Sequence, residues 1–425
     1  MEFSNYDYNL LIKLRKKSIL PYYGFSINAV TLLFVKYLRC YDDSDLTKTY
    51  NDKILNDNFD LGIKPFLDKV ERENKTNGIL SIGLIELIVF VNSSIDIKNY
   101  LKSDLKAYTK TEKIELIKNL LAYSSNDKTK LTSFKTNETL SKLVSRILNV
   151  NENQTFLNTF AGFYSLALNV CAKKYFGYEK NLDALTFAYT VLLYIEGKNF
   201  KDKYDIIYDD IYEIELNNNI IKVDRVFSDG PIIECMKNIK ITLDFLKDDG
   251  IGIVVVPARF LFEKRTETIN YKKNLMDAKF ISAVIELPPL LYETLVNPYL
   301  LVLSKKVNNS ITFISANTVD FYYKDGSNYF LTDNGIDKII NALKYYNVKD
   351  NELKNKDYST FSKCISYEEI LKDDTLSLYP MKYIDNIKTN ELRDKMTILK
   401  DLLDEKANFE NQTNTFINEV LAILK

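Results

Sequence analysis

Apolar and polar positions alternate with two different rhythms, and the change falls near residue 134. Before it, apolar residues return every three or four positions, as in Val30, Leu33, Phe34, Tyr37 and Leu38. That period lines one face of a helix and predicts a helical region over residues 1–133. After it, short unbroken apolar runs are separated by helical periods. The clearest example lies between Val223 and Lys306. A short strand in VDRVFSDGPI leads to an amphipathic helix in IIECMKNIKITLDFLKDDG, then to apolar runs in IGIVVVPARFLF, FISAVIEL and YLLVLSKK. Strands apolar on both faces and joined by helical crossovers predict an α/β fold with a mostly parallel sheet and a terminal antiparallel strand.

The same rhythm extends upstream. TNETLSKLVSRILNV predicts a helix capped by Thr136 or Asn137, with Leu140, Leu143, Val144 and Leu148 facing inward. TFLNTFAGFYSLALNVC then predicts a strand, a turn at Gly162 and a helix, and KKYFGYEK a strand ending at Glu179. An apolar helix, LDALTFAYTVLLYIEG, and a short strand, YDIIYDD, complete the set. Four strand ends thus carry Asn158 to Gly162, Glu179, Asp209 with Asp210, and Ser228 to Pro231 toward one edge of the sheet. Open parallel sheets bind ligands beyond their carboxyl edge, although acidic residues there also serve simply as turn formers. Past Lys306 one more strand, ITFISA, is expected, followed by polar loops with weak helices. Residues 386–425 read as a helical tail, with Leu392, Met396, Leu399 and Leu403 at spacings of three and four.

Charge narrows the choice of partner. The 57 basic and 58 acidic residues leave a net charge of −1, so contact with nucleic acid requires a local patch or another subunit. Arg15, Lys16, Lys17, Lys36 and Arg39 form one local group, for which a solvated helix face is the plainer reading. The sequence has no histidine, which removes the usual general base and the commonest metal ligand. Its four cysteines, Cys40, Cys171, Cys235 and Cys364, lack CxxC spacing, so they are expected to be reduced, buried small hydrophobes, and no metal is expected. A polar amino terminus and apolar runs too short to span a bilayer predict a cytoplasmic protein.

The order of these pieces resembles the modification (M) subunits of type I restriction systems, within the amino-methylating adenine DNA methyltransferases. The likeness runs through YYGFSINAVTLLFVKYLRCYDD, FGYEKNLDALTFAYTVLLYIEG, FLKDDGIGIVVVPARFLF, FISAVIELPPLLYETLVNPYLLVLSKK and LSLYPMKYI. It implies a Rossmann-like class I methyltransferase sheet, with a helical amino-terminal domain over 1–133, the methyltransferase-like domain over 134–385 and a helical tail over 386–425. S-adenosylmethionine is the implied cofactor. DNA and a specificity-type or other protein subunit are the implied partners, the latter met through the amino-terminal helices and the tail.

Two motifs depart from the family pattern. Where the family writes D-P-x-C-G-S-G around the cofactor, this chain has Asn158-Thr159-Phe160-Ala161-Gly162-Phe163-Tyr164, keeping only Gly162. Tyr164 is expected to push a phenol into the space of the methionine moiety. Glu179 matches the acid that holds the ribose hydroxyls, and Asp210 is a further cofactor-binding candidate. Where the family writes N-P-P-F, this chain has Asp229-Gly230-Pro231-Ile232. Asp229 and the Gly230 carbonyl retain the acceptors for an adenine amino group, but Ile232 offers no ring to stack on the base. These departures imply a modification subunit with reduced or lost catalysis that acts in DNA binding or complex assembly. The alternative is an active, divergent adenine methyltransferase in which Phe227 or Tyr164 supplies the ring.

Overall fold

The structure, a computed structural model, describes residues 5–17, 19–20, 25–123, 136–214, 220–291, 296–326, 328–347 and 358–384. The predicted tail lies outside them. Seven helices come first: α1 (Tyr6–Lys16), α2 (Phe25–Tyr37), α3 (Asp45–Leu55), α4 (Phe59–Asn74), α5 (Leu84–Asn92), α6 (Ile95–Lys102) and α7 (Lys110–Tyr123). Small polar side chains start several of them. Asn5 accepts from the Asp7 and Tyr8 amides at α1, Ser44 from Thr47 at α3 and Ser94 from Asp96 at α6, satisfying amides that the first turn leaves free.

The cations of this region divide between internal partners and solvent. Lys36 is fully buried and donates to Asp7 Oδ1 at 2.7 Å, while the hydroxyl of Tyr37 donates to Asp7 Oδ2 at 2.8 Å. Arg39 donates to Asn51 and to the carbonyls of Leu101 and Ser103. Lys17 pairs with Asp96. The expectation of a solvated basic face therefore fails for Lys36, buried against Asp7 of α1, and for Arg39, half-buried against groups on α3 and at the end of α6, and holds for Lys16 and Lys17, which stay exposed.

The remaining elements build the sheet. In chain order they are α8 (Glu138–Leu148), β1 (Thr155–Asn158), β2 (Lys174–Glu179), α9 (Leu182–Glu196), α10 (Phe200–Lys203), β3 (Tyr204–Tyr208), β4 (Val223–Ser228), α11 (Cys235–Phe245) and β5 (Leu246–Pro257). There follow α12 (Ala258–Phe262), α13 (Thr266–Asp277), β6 (Ile281–Glu286), β7 (Pro298–Ser304), β8 (Ser310–Ser315), β9 (Tyr322–Asp325), β10 (Asn328–Leu331), α14 (Asp333–Asn347), β11 (Ser362–Ser366) and α15 (Tyr367–Leu371). Nine strands form one sheet in the order β11-β8-β6-β7-β5-β4-β1-β2-β3. The α/β expectation is met, with two antiparallel strands where one was expected: β7 runs against both β5 and β6, and β11 against β8. The polar region past β8 was expected to be loops and weak helices. It holds instead the β9–β10 hairpin, the 15-residue α14 and the edge strand β11. The helix expected after Gly162 is only a 3-10 turn over Ser165–Asn169.

Burial explains the apolar runs. Along β5, Ile253 and Val255 join the core on one face of the sheet, while Val254 and Val256 join that on the other. A strand covered on both sides has no polar face to alternate with. Helix α9 is apolar nearly all round because it packs between β2 on one side and α2 and α7 on the other. The amino-terminal helices and the sheet therefore share one hydrophobic core. Cys235 is buried, but Cys40 and Cys171 are exposed, contrary to expectation, and all four cysteines are free thiols.

Candidate active site

Strand order reverses between β1 and β4: β2 and β3 continue outward on one side, β5 on the other. A crevice at such a reversal is where open α/β sheets bind ligands. Here a cavity of about 720 Å³ opens beyond the carboxyl ends of β1, β2, β3 and β4. Its walls include Thr159, Phe160 and Gly162 after β1, Glu179 to Asn181 at β2, Asp209 to Ile211 after β3, and Asp229 to Ile232 after β4. Leu290 and Leu291 after β6 and Thr136, Asn137 and Leu140 at the start of α8 close it. Six of the seven residues singled out in the sequence, Gly162, Glu179, Asp210, Asp229, Gly230 and Pro231, line this cavity. The seventh, Asn158, is buried at the end of β1, where its Oδ1 accepts from the Phe160 amide.

Main-chain bonds hold the four loops in register. The Thr159 amide donates to the Phe227 carbonyl at 3.0 Å, Ala161 to Tyr178 at 2.8 Å and Asp209 to Glu179 at 3.2 Å. Glu179 is the central tie. Its Oε2 accepts from the Gly162 amide and its Oε1 from the Asn181 amide, each at 2.7 Å. Each carboxylate oxygen keeps a further lone pair for a donor in the cavity. Asp210 pairs with Lys180 at 2.9 Å, and this partner together with the Tyr212 amide holds its carboxyl below the usual range.

The second turn is set by its surroundings. Asp229 accepts from the Thr136 hydroxyl at 3.0 Å. Burial pushes its carboxyl up to about 6, and the nearby charge of Glu179 pushes the same way, against the Thr136 hydrogen bond. The Pro231 carbonyl accepts from Asn238 Nδ2, while Asn238 Oδ1 accepts from the Tyr212 hydroxyl. Gly230 lies under the ring of Phe160. A Cβ at residue 230 would stand 2.7 Å from Phe160 Cδ2 and closer still to Cε2 and Cζ, so this turn admits no side chain at that position.

The obstruction expected from Tyr164 does not occur. Tyr164 takes a left-handed backbone, φ 56°, and buries its ring beneath β2, where its hydroxyl donates to the Phe176 carbonyl at 2.9 Å. Gly177 makes this possible, since a Cβ there would meet Tyr164 Cε2 at 2.9 Å. Phe227 is likewise wholly buried, so neither ring proposed for base stacking reaches the cavity. The aromatic residues that do line it, Phe160 and Tyr178, were not singled out. Nor was Thr136 beyond its capping role, because its contact with Asp229 spans 93 residues of sequence.

The family model described as N-6 DNA Methylase matches residues 212–392. The methyltransferase subunit of a type I restriction-modification system from Streptococcus thermophilus superposes with a TM-score of 0.69 at 18% identity, over 89% of this chain and 99% of that one. The fold is that of a type I modification subunit. A chain from a type I R-M structure concerned with complex assembly and conformational transition agrees, with a TM-score of 0.63 at 13% identity over 99% of this chain and 98% of that one. No curated protein sequence matches the chain. The modification-subunit resemblance drawn from the sequence is thus borne out.

A volume of about 720 Å³ suits a ligand the size of S-adenosylmethionine. Glu179 presents anchored carboxylate acceptors of the kind a sugar hydroxyl would need, Ile211 gives an apolar wall, and Tyr164 leaves the space clear. The residues present fit the cofactor.

Proposed function

We propose that this chain is an S-adenosylmethionine-dependent adenine methyltransferase acting within a type I restriction-modification-type assembly. The observation that carries this reading is the clear cavity on which Glu179 and Asp229 both open. When bound, the cofactor supplies an electrophilic methyl group. Glu179 would hold its ribose, and Asp210 with Lys180 would flank its base. The amino nitrogen of adenine is a poor nucleophile because its lone pair is drawn into the ring. Asp229 and the Gly230 carbonyl would accept the two amino hydrogens and turn that lone pair toward the cavity. With its carboxyl poised near neutrality, Asp229 can also take up the proton that the nitrogen sheds on methylation.

The partners follow from what the chain lacks. With a net charge of −1 and with Lys36 and Arg39 engaged internally, most of the grip on DNA would come from a specificity-type subunit. Among the described residues no helix is long and apolar enough to cross a membrane. A second reading, a catalytically silent subunit serving assembly, is favoured by one observation, the absence of a ring at Ile232.

Calorimetry with S-adenosylhomocysteine and transfer of labelled methyl groups to DNA separate these readings. The enzymatic reading expects binding that falls at least ten-fold in Glu179→Ala, and transfer that Asp229→Ala abolishes. A folded chain that binds the cofactor product yet methylates no DNA, even with its partner subunit, supports the silent reading. One that binds no cofactor product overturns the enzymatic reading.

A further inference from the structure

We propose that Phe160, on the loop after β1, is the surface against which the target base stacks, in place of the ring missing at Ile232. The inference rests on the amino-methyltransferase reading above. Phe160 lines the same cavity as Asp229 and Gly230, and its side chain is only partly buried. Its ring lies directly on Gly230, whose carbonyl is one of the two acceptors for the amino group. Any side chain at residue 230 would displace the ring, so the glycine and the aromatic are counterparts. The family's arrangement, proline at this place and a ring two positions on, is replaced by a glycine that admits a ring from the neighbouring loop.

The support behind the ring is also built. Phe160 packs against Tyr212 with centroids 5.6 Å apart and planes at 56°. The Tyr212 hydroxyl donates to Asn238, which also holds the Pro231 carbonyl. One buried asparagine therefore ties the ring's support to the turn that would hold the base. The other aromatic on the cavity wall, Tyr178, packs against Phe245 beside Glu179, at the end assigned to the ribose. Phe227 and Tyr164 lie in the core. Stacking on an aromatic side chain changes affinity by roughly 5- to 150-fold per base.

The test uses the full chain saturated with S-adenosylhomocysteine and single-stranded oligo(dA) carrying one 2-aminopurine, whose fluorescence is quenched on stacking. Phe160→Leu is expected to weaken binding at least five-fold and to abolish the quench, with cofactor-product affinity unchanged. Phe160→Trp should keep both, and Ile232→Phe added to Phe160→Leu should restore both by returning the ring to the turn. The proposal is overturned if Phe160→Leu binds and quenches within two-fold of the unaltered chain. Loss of quench in Tyr178→Leu instead, or failure of the Ile232→Phe rescue in a protein that melts normally, also overturns it. If the unaltered chain binds S-adenosylhomocysteine but no oligonucleotide even with its partner subunit present, the stacking role falls and the cofactor site stands. If it binds neither, the enzymatic reading falls and takes the stacking role with it.

Discussion

Asp229 owes its chemistry to being half withdrawn from water beside a second carboxylate. Its carboxyl is raised from an ordinary value of 3.8 to about 6, so the native state holds a proton over a range where the unfolded chain has released it. Ionising Asp229 therefore costs the folded state. The cost is absent below pH 4, grows between pH 4 and 6, and is complete above 6. Asp229→Asn is expected to stabilise the protein by on the order of 1 kcal/mol at pH 7.5, a modest figure because the side chain is only partly shielded, with the gain vanishing by pH 4. Chemical denaturation of both proteins at the two pH values measures this. Activity should move the other way, falling as pH drops through about 6, because a protonated Asp229 loses an acceptor for the amino group. A site that leaves ligand-free stability higher when its carboxyl is removed has the character expected of function.

At the scale of elements, the buried ion pair between α1 and α2 is the most exacting contact. Lys36 and Asp7 are both fully buried, and the hydroxyls of Tyr37 and Tyr108 complete the coordination of the carboxylate. Burial lowers the Lys36 ammonium from its usual range, with the Asp7 carboxylate opposing. Removing one partner strands a charge in the core. Lys36→Met is expected to cost about 3–5 kcal/mol, whereas the double change Lys36→Met with Asp7→Leu should recover much of that loss. Urea unfolding of both variants beside the unaltered chain decides it, and equal losses in the single and double variants would refute the pairing. Spacing made this helix legible, since Val30, Leu33, Phe34 and Leu38 are all buried. The role of Lys36 was not legible, because its partner lies 29 residues away on another helix.

At the scale of the molecule, the amino-terminal helices and the sheet are not separable by their packing. Helix α9 has α2 and α7 on one side and β2 on the other, and one apolar core continues through all of them. A single calorimetric transition is therefore expected on heating, and a fragment beginning at residue 134 should aggregate, because it exposes the outer face of α9. Two resolved transitions would argue for independent units.

Periodicity alone determined the α/β class, the succession of strands around the cavity and the four strand ends that converge there. These depend on local spacing, which any parallel sheet covered on both faces must obey. Only the tertiary structure decided the rest, because it turns on groups distant in sequence. Tyr164 lies outside the cavity because Gly177 opens space beneath β2. The antiparallel insertion of β7 between β5 and β6 leaves no mark in a run apolar on both faces. Gly230, which stands where the family pattern has a proline, leaves the space that the ring of Phe160 occupies.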